Sequence, residues 1–353
     1  MNHVAVLRPE HWPRGIMVNW YITATGGKIS KSKGGAQPIP DAAERFGVDA
    51  MRLFYAHIAS LYVDVAWEDE KVESYRDRLE RIYRLVEDLA SITEEKASDI
   101  DRWLPARMSS RLASLHRSME DFDVRSYANE VYFEVSQDFA WYLKRGGRNR
   151  SAVRAALETW IPLMAPVTPH LAEELWELVG KKPFASTVQL ASGAVDDSTY
   201  AEEAREQLLE RLMSDVSEIL KVTEIKPKKA VLMTAPRWKH DMLSEALGQT
   251  SRKTDVPALI KSAMSRNPPA EVRKEIPKYA KELTADVPKM SPDERKLLSA
   301  RVDEIESLTS AKDFLEGQFG CPVLLFAGDD PDRVDPMGKA RFAKPGRPAV
   351  YLE

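Results

Sequence analysis

Residues 71–90, KVESYRDRLERIYRLVEDLA, space Val72, Tyr75, Leu79, Ile82, Val86 and Leu89 three or four apart. That interval gathers apolar side chains along one face of an α-helix. The remaining faces are rich in charge, so the helix is stable only when its stripe is covered by a neighbour. The segments that follow repeat the pattern, with Met108, Leu112, Leu115, Met119 and Phe122, then Val131, Val135, Phe139 and Leu143. A fourth helix near 151–164 is expected to stop before Pro166. "PHLAEELWELVG" begins a fifth at Pro169, a proline suited to a first helical turn, and ends it at Gly180. Five amphipathic helices with short joints predict an antiparallel bundle. Trp141, Trp160 and Trp176 fall on its stripes and are assigned to its core, and His170 is given a packing role.

Downstream, the polar stretch "ASGAVDDSTYAEEA" breaks the pattern and marks a boundary. A long helix with Leu208, Leu212, Val216 and Ile219 on one face comes next, then a strand "AVLMTA". Charged helices interrupted at Pro257, Pro277 and Pro288 lead to strands "PVLLF" and "PAVYLE", which together read as a small α/β domain. Upstream, "HVAVL", "IMVNWYITA" and "LYVDVAW" read as short strands, and "DAAERFGVDAMRLFYAHIAS" as two short helices, the second capped by Asp49. The expected class is mainly α, divided at 1–70, 71–195 and 196–353.

A length of 353 residues suits two or three domains. A single cysteine, Cys321, forms no internal disulfide, and there is neither an apolar run near twenty residues nor a basic, apolar leader. A cytoplasmic protein without a membrane anchor is expected. The six histidines are far apart and no cysteine pair exists, so no structural metal is expected. A net charge of -4 argues against general coating of nucleic acid.

Against that acidic balance, "GGKISKSKGG" at 26–35 concentrates Lys28, Lys31, Lys33, Ser30 and Ser32 between paired glycines. Read alone, this run fits a solvated surface loop. It also fits a loop whose ammonium groups approach a triphosphate and stabilise the charge on departing pyrophosphate. No G-x-x-x-x-G-K-[ST] phosphate loop is present, and Ser/His/Asp catalysis has no local signature.

"KISKSKGG" resembles the KMSKS loop of class I aminoacyl-tRNA synthetases, with Ile29 at the usual Met and Gly35 at the usual Asn. "GVDAMRLFYAHIAS" is similar to the helix after that loop in the leucine, isoleucine, valine and methionine subclass. "APVTPHLAEELWELVG" is similar to that subclass's anticodon-binding bundle, and "VLMTAPRWKH" with "DPMGKARFAKPGRPAVYLE" to the tail of archaeal and eukaryotic-type leucine enzymes. The resemblance implies the edge of a nucleotide-binding catalytic domain, then the bundle, then an α/β tail. It implies ATP, carried with Mg²⁺, as substrate, with Lys31 and Lys28 on the phosphates and Ser30 and Ser32 shaping the loop. It also implies tRNA of the leucine type as partner, its long variable arm met by the tail. The family's second signature, HIGH, is absent here. An amino-terminal synthetase chain carrying it is therefore expected as a partner, with this chain a split subunit or a truncated product, inactive alone. Two other readings stand beside this one: a non-catalytic tRNA-binding relative, and the equivalent part of an isoleucine, valine or methionine enzyme.

Charge is uneven along the chain. Residues 225–290 hold fourteen Lys or Arg against seven Asp or Glu, which leaves the remainder strongly acidic. Lys226, Lys228, Lys229, Arg237 and Lys239 surround Trp238, an aromatic suited to stacking on a splayed base, and Lys339, Arg341, Lys344 and Arg347 form a second cluster. Taken singly, these fit solvated helix faces. Taken together, they predict phosphate contact, with both clusters brought to one face.

Overall fold

The stripe on 71–90 is buried along its whole length in a computed structural model of the chain. The residues described are all but 1–5, 14, 16–17, 19–21, 25–26, 29–38, 59–63, 190–191, 250–254, 301 and 336. The chain forms two compact units, Met1–Gly193 and Ala194–Glu353.

In the first unit, strands β1 (Ile22–Ala24), β2 (Gly27–Lys28) and β3 (Val65–Ala66) form a small sheet in the order β2-β1-β3. β2 runs antiparallel and β3 parallel to β1. Helices α1 (Ile39–Phe46) and α2 (Val48–Ile58) meet at Gly47, whose φ of 84° a side-chain-bearing residue rarely adopts. "HVAVL" and most of "IMVNWYITA" lie outside the described residues.

The bundle follows as α3 (Asp69–Ala90), α4 (Ile100–Glu120), α5 (Val124–Asn129), a π-helical turn (Glu130–Glu134), α6 (Val135–Lys144), α7 (Arg150–Met164) and α8 (Pro169–Leu178). Trp160 is fully buried and donates its indole N–H to the Val131 carbonyl at 2.8 Å. Trp176 is buried as well, whereas Trp141 lies half-buried beside Lys144. The second stripe ends early: Met119 and Phe122 are exposed, because α4 finishes at Glu120 and Phe122 turns back with a φ of 57°.

At the π turn, Arg111 is buried among carboxylates. Its guanidinium donates to Asp138 at 2.8 and 3.2 Å, to Glu130 at 3.1 Å, and to Glu134, while Arg107 reaches Asp138 at 3.0 Å. Burial raises the Glu130 pKa, and Arg111 opposes that shift.

The second unit opens with α9 (Asp197–Thr223), where Asp196 and Thr199 form a reciprocal capping box. Strand β4 (Ala230–Met233), α10 (Arg237–Gly248), α11 (Val256–Ser265), α12 (Ala270–Asp286), α13 (Pro292–Ser299), α14 (Glu304–Ser310), α15 (Lys312–Phe319), β5 (Val323–Phe326) and β6 (Ala349–Leu352) follow. All of β4 is buried, as an uninterrupted apolar strand should be at the centre of a sheet. It pairs parallel with β5 and antiparallel with β6. Met242, Leu259, Ile276, Tyr279 and Leu283 join α10, α11 and α12 in a separate core. The architecture is mainly helical, with a small mixed sheet in the tail. Among the described residues no helix is long and apolar enough to cross a membrane.

Candidate nucleic-acid interface

Lys28 is placed by the backbone of β2, an edge strand, opposite Thr23 of β1. Ser30, Lys31 and Ser32 lie outside the described residues. The chain that leaves the loop enters α1 and α2, and α2 is fastened to the bundle.

That fastening corrects the reading of Asp49. It lies within the first turn of α2, yet its Oδ2 accepts the backbone N–H of Leu171 at 2.7 Å, and its Oδ1 lies 2.9 Å from His170 Nδ1. Asp49 therefore caps α8 across 122 residues of sequence. The residue that precedes α8, Thr168, makes no side-chain cap. One turn along α2, Arg52 donates to the carbonyls of Val167 at 2.7 Å and Pro166 at 2.8 Å. Tyr127 and Tyr132 take the Leu163 and Met164 carbonyls at 2.6 and 3.0 Å, so the end of α7 is satisfied by side chains. His170, expected to pack, is mostly exposed at this joint.

In the second unit β4 splits the first basic cluster, with Lys226, Lys228 and Lys229 at one end and Arg237 and Lys239 at the other beside the second cluster. Lys226, Lys228 and Lys229 precede β4, beside the chain's last residue, where the Lys228 N–H bonds the Glu353 carbonyl at 2.5 Å. Arg237, Arg341, Lys344 and Arg347 gather past the other end of β4, adjoining the start of β6. Four residues of strand at about 3.3 Å each hold the groups apart by roughly 13 Å.

Individual side chains divide further. Lys226, Lys228, Arg237 and Arg341 are exposed, and none of them makes an ion pair among the described residues. Lys229 pairs with Glu353 at 3.0 Å, Lys344 with Glu282 at 2.9 Å, and Arg347 grips Asp215 with two bonds of 2.7 and 2.8 Å. Lys339 spends its ammonium on the Val350 carbonyl at 3.2 Å, above the Tyr351 ring.

Lys239 and Trp238 face inward. Lys239 is only 4% exposed, and its ammonium donates to the carbonyls of Arg341 at 2.5 Å and Ala343 at 2.8 Å. It sits over the rings of Trp238 and Tyr279, which meet edge to face at 5.5 Å. Burial lowers its pKa, with Glu275 and Glu282 opposing. A lysine assigned to solvent by type is thus an internal tie, and it leaves no ammonium for a phosphate. The exposed aromatic of this region is Phe342, which sequence reasoning passed over.

Residues 101–234 match the family described as the anticodon-binding domain of tRNA ligase. Over its whole length the chain is 33% identical to a leucine–tRNA ligase of Methanococcoides burtonii and 34% identical to that of Methanothrix thermoacetophila, covering 37% of each. The leucine–tRNA ligase of Methanocaldococcus jannaschii is 35% identical, again over the whole of this chain and 36% of its own length. The chain thus spans little more than a third of the curated relatives it matches. Matched along its full extent by these ligases, the chain belongs to the archaeal/eukaryotic-type leucyl-tRNA synthetases of class I and represents their carboxyl-terminal portion.

Proposed function

We propose that the chain docks leucine-accepting tRNA and supplies the lysine loop of a leucine–tRNA ligase. The observation that carries this reading is the match to archaeal leucine–tRNA ligases over 100% of the chain. In the complete reaction a leucine carboxylate oxygen attacks the α-phosphorus of ATP and the bond to pyrophosphate breaks. A hydroxyl of the terminal tRNA ribose then attacks the leucyl carbonyl and displaces AMP. Mg²⁺ accompanies ATP and neutralises phosphate charge.

Lys28 and Lys31 are assigned to the charge that grows on pyrophosphate, with Ser30 and Ser32 shaping the loop. Donors of this kind lower the barrier when they strengthen as charge develops. The joint of Asp49 and Arg52 supports the division of labour: it anchors the helix that follows the loop on the turn between α7 and α8. The histidine signature and amino-acid pocket are assigned to the remaining part of the complete ligase. Lys226, Lys228, Arg237 and Arg341 are the cations offered to tRNA phosphates.

The test uses the enzyme in which this chain is joined to that remaining part. Lys31→Ala should slow adenylate formation by roughly a hundredfold, the scale of losing one charge-stabilising donor. The affinity for tRNA should be unchanged. Equal losses in both quantities, or none in adenylate formation, overturn the assignment.

A further inference from the structure

The turn at Lys339–Phe342 is built to hold one aromatic ring outward. Asp335 accepts the backbone N–H groups of Lys339 at 2.6 Å and Ala340 at 3.1 Å, which fixes the entry. Ala340 and Ala343 are buried against Val231 and Met233 of β4. The carbonyls of Arg341 and Ala343, on either side of Phe342, are both held by the buried Lys239 ammonium. The alternation leaves Arg341 and Phe342 pointing to solvent, with Phe342 61% exposed. Most of this large ring therefore stays wet while its backbone is fixed from within.

The surroundings specify the occupant. The Arg341 guanidinium lies over the Phe342 ring, 4.7 Å from its centre, and holds a positive charge against the aromatic surface. Lys344 follows two residues later. Lys344 is paired with Glu282 at 2.9 Å, so Arg341, which makes no ion pair among the described residues, is the cation at the ring. An exposed aromatic ring with an unpaired guanidinium against it suits a nucleotide, whose base stacks and whose phosphate is neutralised. A purely apolar partner would find charge at the rim instead.

We infer that Phe342, with Arg341 beside it, is a stacking platform for one unpaired base of the bound tRNA, and that Lys239 is the residue that positions it. This rests on the tRNA-docking reading and adds the group that takes a base. Stacking of this kind is sequence-tolerant, because every base presents a π face, so the platform would sense an unpaired nucleotide at a set place rather than a base identity.

The test measures binding of leucine-accepting tRNA to the full 353-residue chain. Phe342→Ala should weaken binding roughly 5- to 100-fold, the range for losing one base–aromatic stack. Phe342→Trp should retain or tighten it, and Phe342→Leu should resemble the alanine variant despite its apolar bulk. Lys239→Met should lower affinity in the wild-type background and add nothing to Phe342→Ala, whereas a merely structural lysine would cost the same in both. Circular dichroism of each variant establishes that it is folded. Full affinity in Phe342→Leu refutes stacking and leaves only a non-stacking apolar contact with the tRNA. Unchanged affinity in Phe342→Ala refutes the platform and leaves tRNA docking intact, while failure of the wild-type chain to bind any tRNA refutes both.

Discussion

Removing the Asp49 carboxylate should loosen α2 from the bundle by a calculable amount. Both oxygens are engaged, but unequally in energy. The bond to the Leu171 N–H is a charge-assisted cap on a helix with no other side-chain cap, made by a side chain only 12% exposed. The contact with His170 involves a ring 74% exposed, where solvent screens the charge. Caps contribute about 0.5–2 kcal/mol and hydrogen bonds to charged groups about 1.5–3 kcal/mol. Asp49→Ala should therefore cost about 2 kcal/mol, roughly thirtyfold in the folding equilibrium. Asp49→Asn, which keeps an acceptor but loses the charge, should cost about half as much, and His170→Ala less than about 0.5 kcal/mol. Urea unfolding followed by tryptophan fluorescence suits the measurement, because seven of the eight tryptophans lie in residues 1–193. The midpoint should move at unchanged slope. A loss below about 0.5 kcal/mol for Asp49→Ala, or an equal loss for His170→Ala, would refute the capping argument.

Arg111→Met should destabilise the bundle by about 3 kcal/mol, because it leaves buried Glu130 without its cation and Asp138 with Arg107 alone; the same urea assay checks this, and a loss near zero would show the network to be dispensable. Glu304 supplies a pH test in the tail. Its burial raises the pKa above the ordinary 4.5, while His240 and the N–H groups of Gly346 and Ala235 pull the other way. A raised folded-state pKa means that its contribution is complete below the unfolded value and is lost as pH rises through the folded one. The stability of the wild type relative to Glu304→Gln should accordingly fall from about pH 4.5 upward. A pH-independent difference in thermal or urea unfolding contradicts this.

The helices of the bundle were legible because burial imposes a period. Val72 through Leu89 had to share a face, and Pro169 and Gly180 bracket the last helix by their backbone limits. The strands of the tail were legible as apolar runs, but not their order: nothing local tells AVLM to sit between two partners far along the chain. For that reason the splitting of the first basic cluster between the two ends of β4 was hidden. Asp49 was read as a cap for its own helix because a cap is a local pattern, and a partner 122 residues away leaves no such trace. Lys239 was misplaced for a different reason. Residue type predicts exposure only when no buried acceptors await the charge, and the Arg341 and Ala343 carbonyls that receive it come from a distant loop.

Leucine-accepting tRNA should recognise this chain through shape and charge, since A-form helices hide their base edges and offer phosphate and ribose instead. Filter binding across a salt series, with the variable arm intact or shortened, measures this most directly. The intact tRNA should bind more tightly, with a log-log salt slope of several units that Lys226→Ala with Lys228→Ala reduces by about two. Shortening the arm should remove most of the preference for leucine-accepting tRNA over others. Equal affinity for intact and shortened arms would contradict docking by the tail.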